Sequence, residues 1–152
     1  MSRKIDIAAA PEKRGSAYPE PFRASGMGKF RKKLGDAAGL TQFGVNLLEL
    51  EPGAWSAQRH WHTGEDEFVY VLEGEVTLKT NAGDEVLRAG DCAGFPAGVA
   101  DGHCLVNHGD RPARVLEVGT RALEKDRVDY PDIDLMIPEG SRAYFHKDGT
   151  PY

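Results

Sequence analysis

Short apolar runs cut by glycine and proline turns fill the stretch from Phe43 to Val118, recurring at roughly 8–12-residue spacing. Phe43, Val45, Leu47, Leu48 and Leu50 precede the turn Glu51-Pro52-Gly53. Glu67–Leu72 (EFVYVL) is aromatic and β-branched, hence strand-forming. Glu73-Gly74 turns the chain into Glu75–Thr80, and Asn81-Ala82-Gly83-Asp84 makes a hairpin loop. Ala54–Trp61, Glu85–Arg88, Asp91–Phe95, His103–Asn107 and Ala113–Val118 supply further strands. No convincing helix-period segment interrupts them. The texture predicts an all-β antiparallel sandwich or barrel over residues 41–120.

The flanks read differently. Residues 1–40 predict a mostly irregular N-terminal arm, because Pro11, Gly15, Pro19, Pro21, Gly26, Gly28, Gly35 and Gly39 break every helical run. Ile5 and Ile7 offer a weak edge strand. Residues 121–152 form a charged extension in which Leu135, Met136, Ile137, Tyr144 and Phe145 predict packing on the barrel or on a second subunit. With 152 residues the chain fits one domain with a sizeable core.

Charge narrows the partners. Nineteen Lys and Arg against 24 Asp and Glu give a net charge of −5, which disfavours general nucleic-acid binding through phosphate neutralisation. The one basic run, Arg23, Lys29, Arg31, Lys32 and Lys33, reads as a solvated loop. No apolar stretch of membrane-span length and no leader-like start occur, so a membrane partner is not expected. Cys92 and Cys104 lack CxxC spacing, which predicts buried free thiols and a reducing, cytoplasmic location.

Four of the five histidines lie between residues 60 and 108. In a strand, His60 and His62 project to one side and Trp61 to the other. Glu67 opens the next strand after Thr63-Gly64-Glu65-Asp66, so a hairpin brings its carboxylate beside the pair. If His103 begins a later inward-facing strand, it closes a four-ligand set, with Leu105 and Asn107 also inward and Cys104, Val106 and His108 outward. The competing reading is plain: an HxH pair on an exposed strand is often no site at all. Imidazole and carboxylate together suit one divalent ion such as zinc, iron, manganese, nickel or copper.

The surrounding residues carry a resemblance. Gly53, His60, His62, Glu67 and Gly74 resemble the first motif of the cupin superfamily, and Gly90, Pro96, Gly98, His103 and Asn107 resemble the second. A longer turn, Val99-Ala100-Asp101-Gly102, separates Gly98 from His103. The chain is thus similar to small single-domain bacterial cupins. The resemblance implies a jelly-roll barrel (a double-stranded β-helix), a metal held by His60, His62, Glu67 and His103, and a homodimer.

Three neutral imidazoles and one carboxylate leave a divalent ion with a net charge of about +1 and open positions for a ligand. Such a centre favours a small molecule with negatively charged oxygens. The expected function is a metal-dependent enzyme acting on a sugar derivative or organic acid, by Lewis-acid isomerisation or by oxygenation. The alternative is a non-catalytic cupin that binds or senses a small molecule. Gln58, Tyr70, Phe95 and Asn107 are the candidate substrate contacts. Phe43, Phe68, Tyr70, Phe95 and Leu105 are also expected to fill the barrel, and Trp55 and Trp61 to pack on its outer face.

Overall fold

The structure, a computed structural model, describes residues 4–152. Its strands in chain order are β1 (Glu12–Arg14), β2 (Lys29–Lys33), β3 (Phe43–Leu50), β4 (Trp61–His62), β5 (Glu67–Glu73), β6 (Glu75–Thr80), β7 (Gly83–Arg88), β8 (Cys92–Phe95), β9 (Cys104–Val106), β10 (Ala113–Thr120), β11 (Val128–Tyr130) and β12 (Leu135–Ile137). A six-stranded sheet runs β1-β2-β3-β10-β5-β8, faced by a sheet of order β7-β6-β9, with a third sheet of order β12-β11-β4. Every pairing is antiparallel. The all-β cupin-type barrel read from the sequence is what the chain forms.

Alternation places the core. Leu48 and Leu50 of β3, Val69 and Val71 of β5, and Ala113 and Val115 of β10 turn inward and meet Val76, Leu78, Leu87 and Leu105 of the smaller sheet. The hairpin from β5 to β6 turns at Gly74, whose φ of +76° lies where glycine alone is unstrained. The same parity sends Phe43, Phe68, Tyr70 and Leu72 to the outside, where all four are exposed. The first three therefore do not fill the barrel. Phe95 and Leu105 do pack at the core.

Ile5 and Ile7 lie in coil and turn rather than in an edge strand. The sheet edge is instead β1, and β2 brings the basic run into the sheet. Lys29 and Arg31 stand opposite Leu50 and Leu48, so they face the barrel interior. Lys29 is buried and donates to the Ser56 carbonyl (2.8 Å). Arg31 grips Glu117 of β10 with two hydrogen bonds, Nε to Oε2 at 2.6 Å and Nη2 to Oε1 at 2.8 Å. The solvated-loop reading fails at these two positions, because strand pairing turns them inward.

The extension packs on its own barrel. β11 pairs with β4, Val128 opposite His62 and Asp129 opposite Trp61. A second apolar cluster joins it to the N-terminal arm: Tyr18 and Phe22 pack with Val128, Tyr130, Leu135, Ile137 and Tyr144. The cluster lies beside the histidines, with the Tyr130 ring 5.7 Å from that of His60. Cys104 is buried and Cys92 is exposed, and both are free thiols. Cys104 and Val106 are enclosed rather than outward, while His108 is exposed.

Candidate metal centre

His60 and His103 form an isolated antiparallel bridge, each backbone N–H donating to the other's carbonyl at 3.1 and 2.9 Å. That bridge pins two imidazoles to neighbouring ribbons. His62 follows two residues on in β4, and Glu67 begins β5. The expected hairpin between them is not formed: β4 pairs with β11 and β5 with β10 and β8, so the turn at residues 63–66 passes from one sheet to another. Their tips converge. Glu67 Oε2 lies 3.6 Å from His60 Nε2, 3.5 Å from His62 Nε2 and 2.7 Å from His103 Nε2. The rings of His60 and His62 are 5.1 Å apart, and those of His60 and His103 are 5.0 Å apart.

Two donors bound to one ion at about 2.1 Å can be no more than about 4.2 Å apart. All three separations from Glu67 fall inside that limit. The ligand atoms of His60, His62 and Glu67 all lie within 4.8 Å of one another, and these three donors fit a divalent ion. His103 stands outside that group of three and reaches it through Glu67 at 2.7 Å. Burial by itself would raise the Glu67 pKa. Hydrogen bonds from His103 and His60, with the charge of His60 and His62, hold the carboxyl well below its ordinary range. Glu67 is therefore ready as an ionised ligand.

The opposite ring nitrogens are held as well. His60 Nδ1 donates to the Gln58 carbonyl at 2.8 Å, and His62 Nδ1 lies 2.6 Å from Asp126 Oδ2. Phe95 lines the adjoining cleft, a cavity of about 60 Å³ walled by Trp61, His62, Glu65, Glu67, Pro96, Val99, Asp101 and His103 among others. No Lys or Arg is among the lining residues.

Three of the four expected substrate contacts move elsewhere. The Gln58 side chain turns to the arm and donates to the Phe22 carbonyl and Ser25 Oγ, because Ser56–Arg59 is bent rather than a regular strand. Tyr70 faces out, one step off the Glu67 parity. Asn107 is fully buried, and its bonds go to the Leu50 and Arg111 carbonyls and the Gly109 N–H. Only Phe95 stays. Trp61, expected on the outer face, borders the cleft instead. Asp126, Glu65 and Tyr130 are site residues that the sequence did not flag. Asp126 lies 64 positions from His62 with no motif to link them.

The Cupin domain family (Cupin_2) matches residues 46–119, about half of the chain. A Silicibacter pomeroyi DSS-3 crystal structure, titled a sugar phosphate isomerase from a cupin superfamily, is 44% identical with a TM-score of 0.92; the match covers 99% of this chain and 96% of that one. The tetracenomycin polyketide synthase protein TcmJ of Streptomyces glaucescens is 35% identical over 82 residues, which is 53% of this chain and 52% of that protein. The chain thus spans about half the length of that curated relative. The polyketide cyclase RemF of Streptomyces resistomycificus shares the fold, at 21% identity and a TM-score of 0.61 over 79% of this chain and 80% of that one.

Proposed function

The chain belongs to the cupin superfamily, and from that premise we propose that it is a metal-dependent enzyme that isomerises a small hydroxy-carbonyl metabolite of the sugar class. The observation that carries this reading is the convergence of His60, His62 and His103 on Glu67 at the floor of a small cleft. The name borne by the 44%-identical Silicibacter protein supports the reaction class. A divalent ion held by these four residues would supply Lewis-acid polarisation of a carbonyl oxygen.

The chain's own residues supply the rest. Isomerisation moves a proton between adjacent carbons and needs no external oxidant. Glu65 stands on the cleft wall with Oε1 committed to the Ala122 N–H at 2.6 Å. Its second oxygen is the group we assign to carry the proton. Phe95 and Trp61 flank the space in which the substrate's carbon frame lies.

The test is solvent deuterium exchange. Protein loaded with zinc, manganese, iron or nickel is incubated in D2O with a panel of aldoses, ketoses and their monophosphates, followed by proton NMR. Deuterium at the carbon beside the carbonyl, with about one metal per chain, is the expected result. Glu65→Gln is expected to lose turnover and keep metal. Stoichiometric metal with no exchange on any sugar would leave the non-catalytic, ligand-binding alternative in place.

A homodimer is part of the proposal. Phe68 pairs across β10 with Val118 and Tyr70 with Leu116, and Phe43, Phe68, Tyr70 and Leu72 are exposed on this outer side of the sheet. Exposed apolar side chains grouped on one face suit an interaction site. Its proposed occupant is a second copy meeting it face to face. A monomeric mass in solution would count against it. Among the described residues no helix is long and apolar enough to cross a membrane.

A further inference from the structure

Asp126 belongs to the segment between β10 and β11, beyond the stretch that matches the family. It is buried, yet its carboxylate meets no Lys or Arg. One oxygen, Oδ2, lies 2.6 Å from His62 Nδ1, and the other, Oδ1, accepts the Gly64 N–H at 2.9 Å. The other two histidines lack a carboxylate behind them. His60 Nδ1 donates to a backbone carbonyl at 2.8 Å, and the nearest acceptor to His103 Nδ1, the Asp101 carbonyl, is 3.5 Å away.

We infer that Asp126 is a positioning residue of the metal centre, fixing both the tautomer and the ring angle of His62. The inference rests on the metal-binding reading of the same site. An ionised carboxylate only accepts, so the proton of a neutral His62 must sit on Nδ1. The Nε2 lone pair is then free and aimed at the point shared with Glu67 Oε2, 3.5 Å away. A carboxylate behind a ligating imidazole also strengthens it as a donor. The geometry is reinforced from the backbone, because Val128 of β11 pairs with His62 itself and holds the carboxylate's own segment alongside. The tail of the chain is thus a working part of the centre.

Asp126→Asn separates this role from a merely structural one. An amide has one accepting oxygen and one donating NH2. If the oxygen keeps the Gly64 N–H, the NH2 faces His62 Nδ1, which must then accept, and the ring proton moves to Nε2. If the amide is reversed, the Gly64 N–H loses its acceptor. Metal affinity is read by competition between the protein and a chromophoric zinc chelator, and metal-free stability by thermal unfolding. The expected result is an affinity loss of about 10- to 100-fold in Asp126→Asn with a metal-free melting temperature close to wild type. Equal zinc affinity in both proteins would overturn the inference. Failure of the wild type itself to take zinc, manganese, iron or nickel would instead remove the metal reading on which it rests. A second measurement needs no variant: long-range 15N–1H correlation on wild type at pH 8 reports the His62 tautomer. A proton on Nδ1 is expected, and a proton on Nε2 would overturn the role.

Discussion

Phe95 lies flat on His103, with ring centroids 3.5 Å apart and planes 2° from parallel. Glu67 stands opposite Phe95 in the strand pairing, so one cross-strand pair supplies both the carboxylate of the cluster and the platform beneath one of its imidazoles. His103 has only a distant acceptor behind it, and the stack does what a hydrogen bond does for the other two rings. Phe95→Ala is expected to weaken metal binding by up to about tenfold, the equivalent of the roughly 0.5–1.5 kcal/mol carried by an aromatic pair. Chelator competition measures it. Phe95→Tyr keeps the stack and is expected to bind as wild type.

Arg31 and Glu117 make a two-bond ion pair in the barrel wall, and Glu117→Leu removes only one partner. The guanidinium is left facing the interior, held there by the Ser56 carbonyl at 3.2 Å. Loss of about 3 kcal/mol of unfolding free energy is expected in urea titration. The double variant Arg31→Met with Glu117→Leu should recover most of it, since no unpaired charge remains. A single variant as stable as the double would refute this account.

Lys29 predicts a pH dependence. Burial first, then the charge of Arg31, with Glu117 opposing and Lys13 adding, pulls its pKa down from 10.5 to about 7. Tyr18 lies beside it, with Nζ 5.5 Å from the ring centre. Between pH 7 and 9 the unfolded chain holds the Lys29 proton and the folded chain does not. Unfolding free energy therefore rises with pH in that window, by at most about 1.4 kcal/mol per unit from this group. Above pH 9 the trend is opposed by Cys104 and Tyr18, both pushed up to about 12 mainly by burial. Lys29→Met is expected to flatten the pH 7–9 slope, measured as the difference between two urea series.

Asn107 satisfies the turn after β9 rather than a substrate. Its amide donates to two carbonyls and accepts one N–H, all inside the fold. Asn107→Ala is expected to cost about 1–3 kcal/mol of stability and to leave zinc affinity unchanged. A variant of normal stability with impaired turnover would return Asn107 to the site.

The barrel and its four convergent side chains are legible in the sequence because both depend on period-two alternation and on the short turn between His62 and Glu67. His60, His62 and Glu67 follow from parity and a short turn, and His103 from its place in a second motif. Gln58 was misplaced because alternation was carried through Ser56–Arg59, where the chain bends and makes only isolated bridges at Trp55 and His60. Tyr70 was misread against the same rule, since Glu67, Val69 and Val71 already claim the inward positions. Lys29 and Arg31 looked like surface because charge usually means solvent, and only strand pairing with Leu50 and Leu48 turns them in. Asp126 and Tyr130 carry no local signal. The rings of Tyr130 and His60 are brought to 5.7 Å by contacts made far along the chain.

Gly64 sits where the turn between His62 and Glu67 touches the tail, and a Cβ built on it would fall 2.4 Å from the Lys125 carbonyl oxygen and 2.8 Å from its carbon. Both atoms are backbone, so neither can swing aside. A single methyl group there would act as a wedge, prising the Asp126 carboxylate from His62 while every ligand stays in the sequence. A position that offers no chemistry of its own therefore governs how the tail seats against His62, with the four converging side chains themselves unchanged.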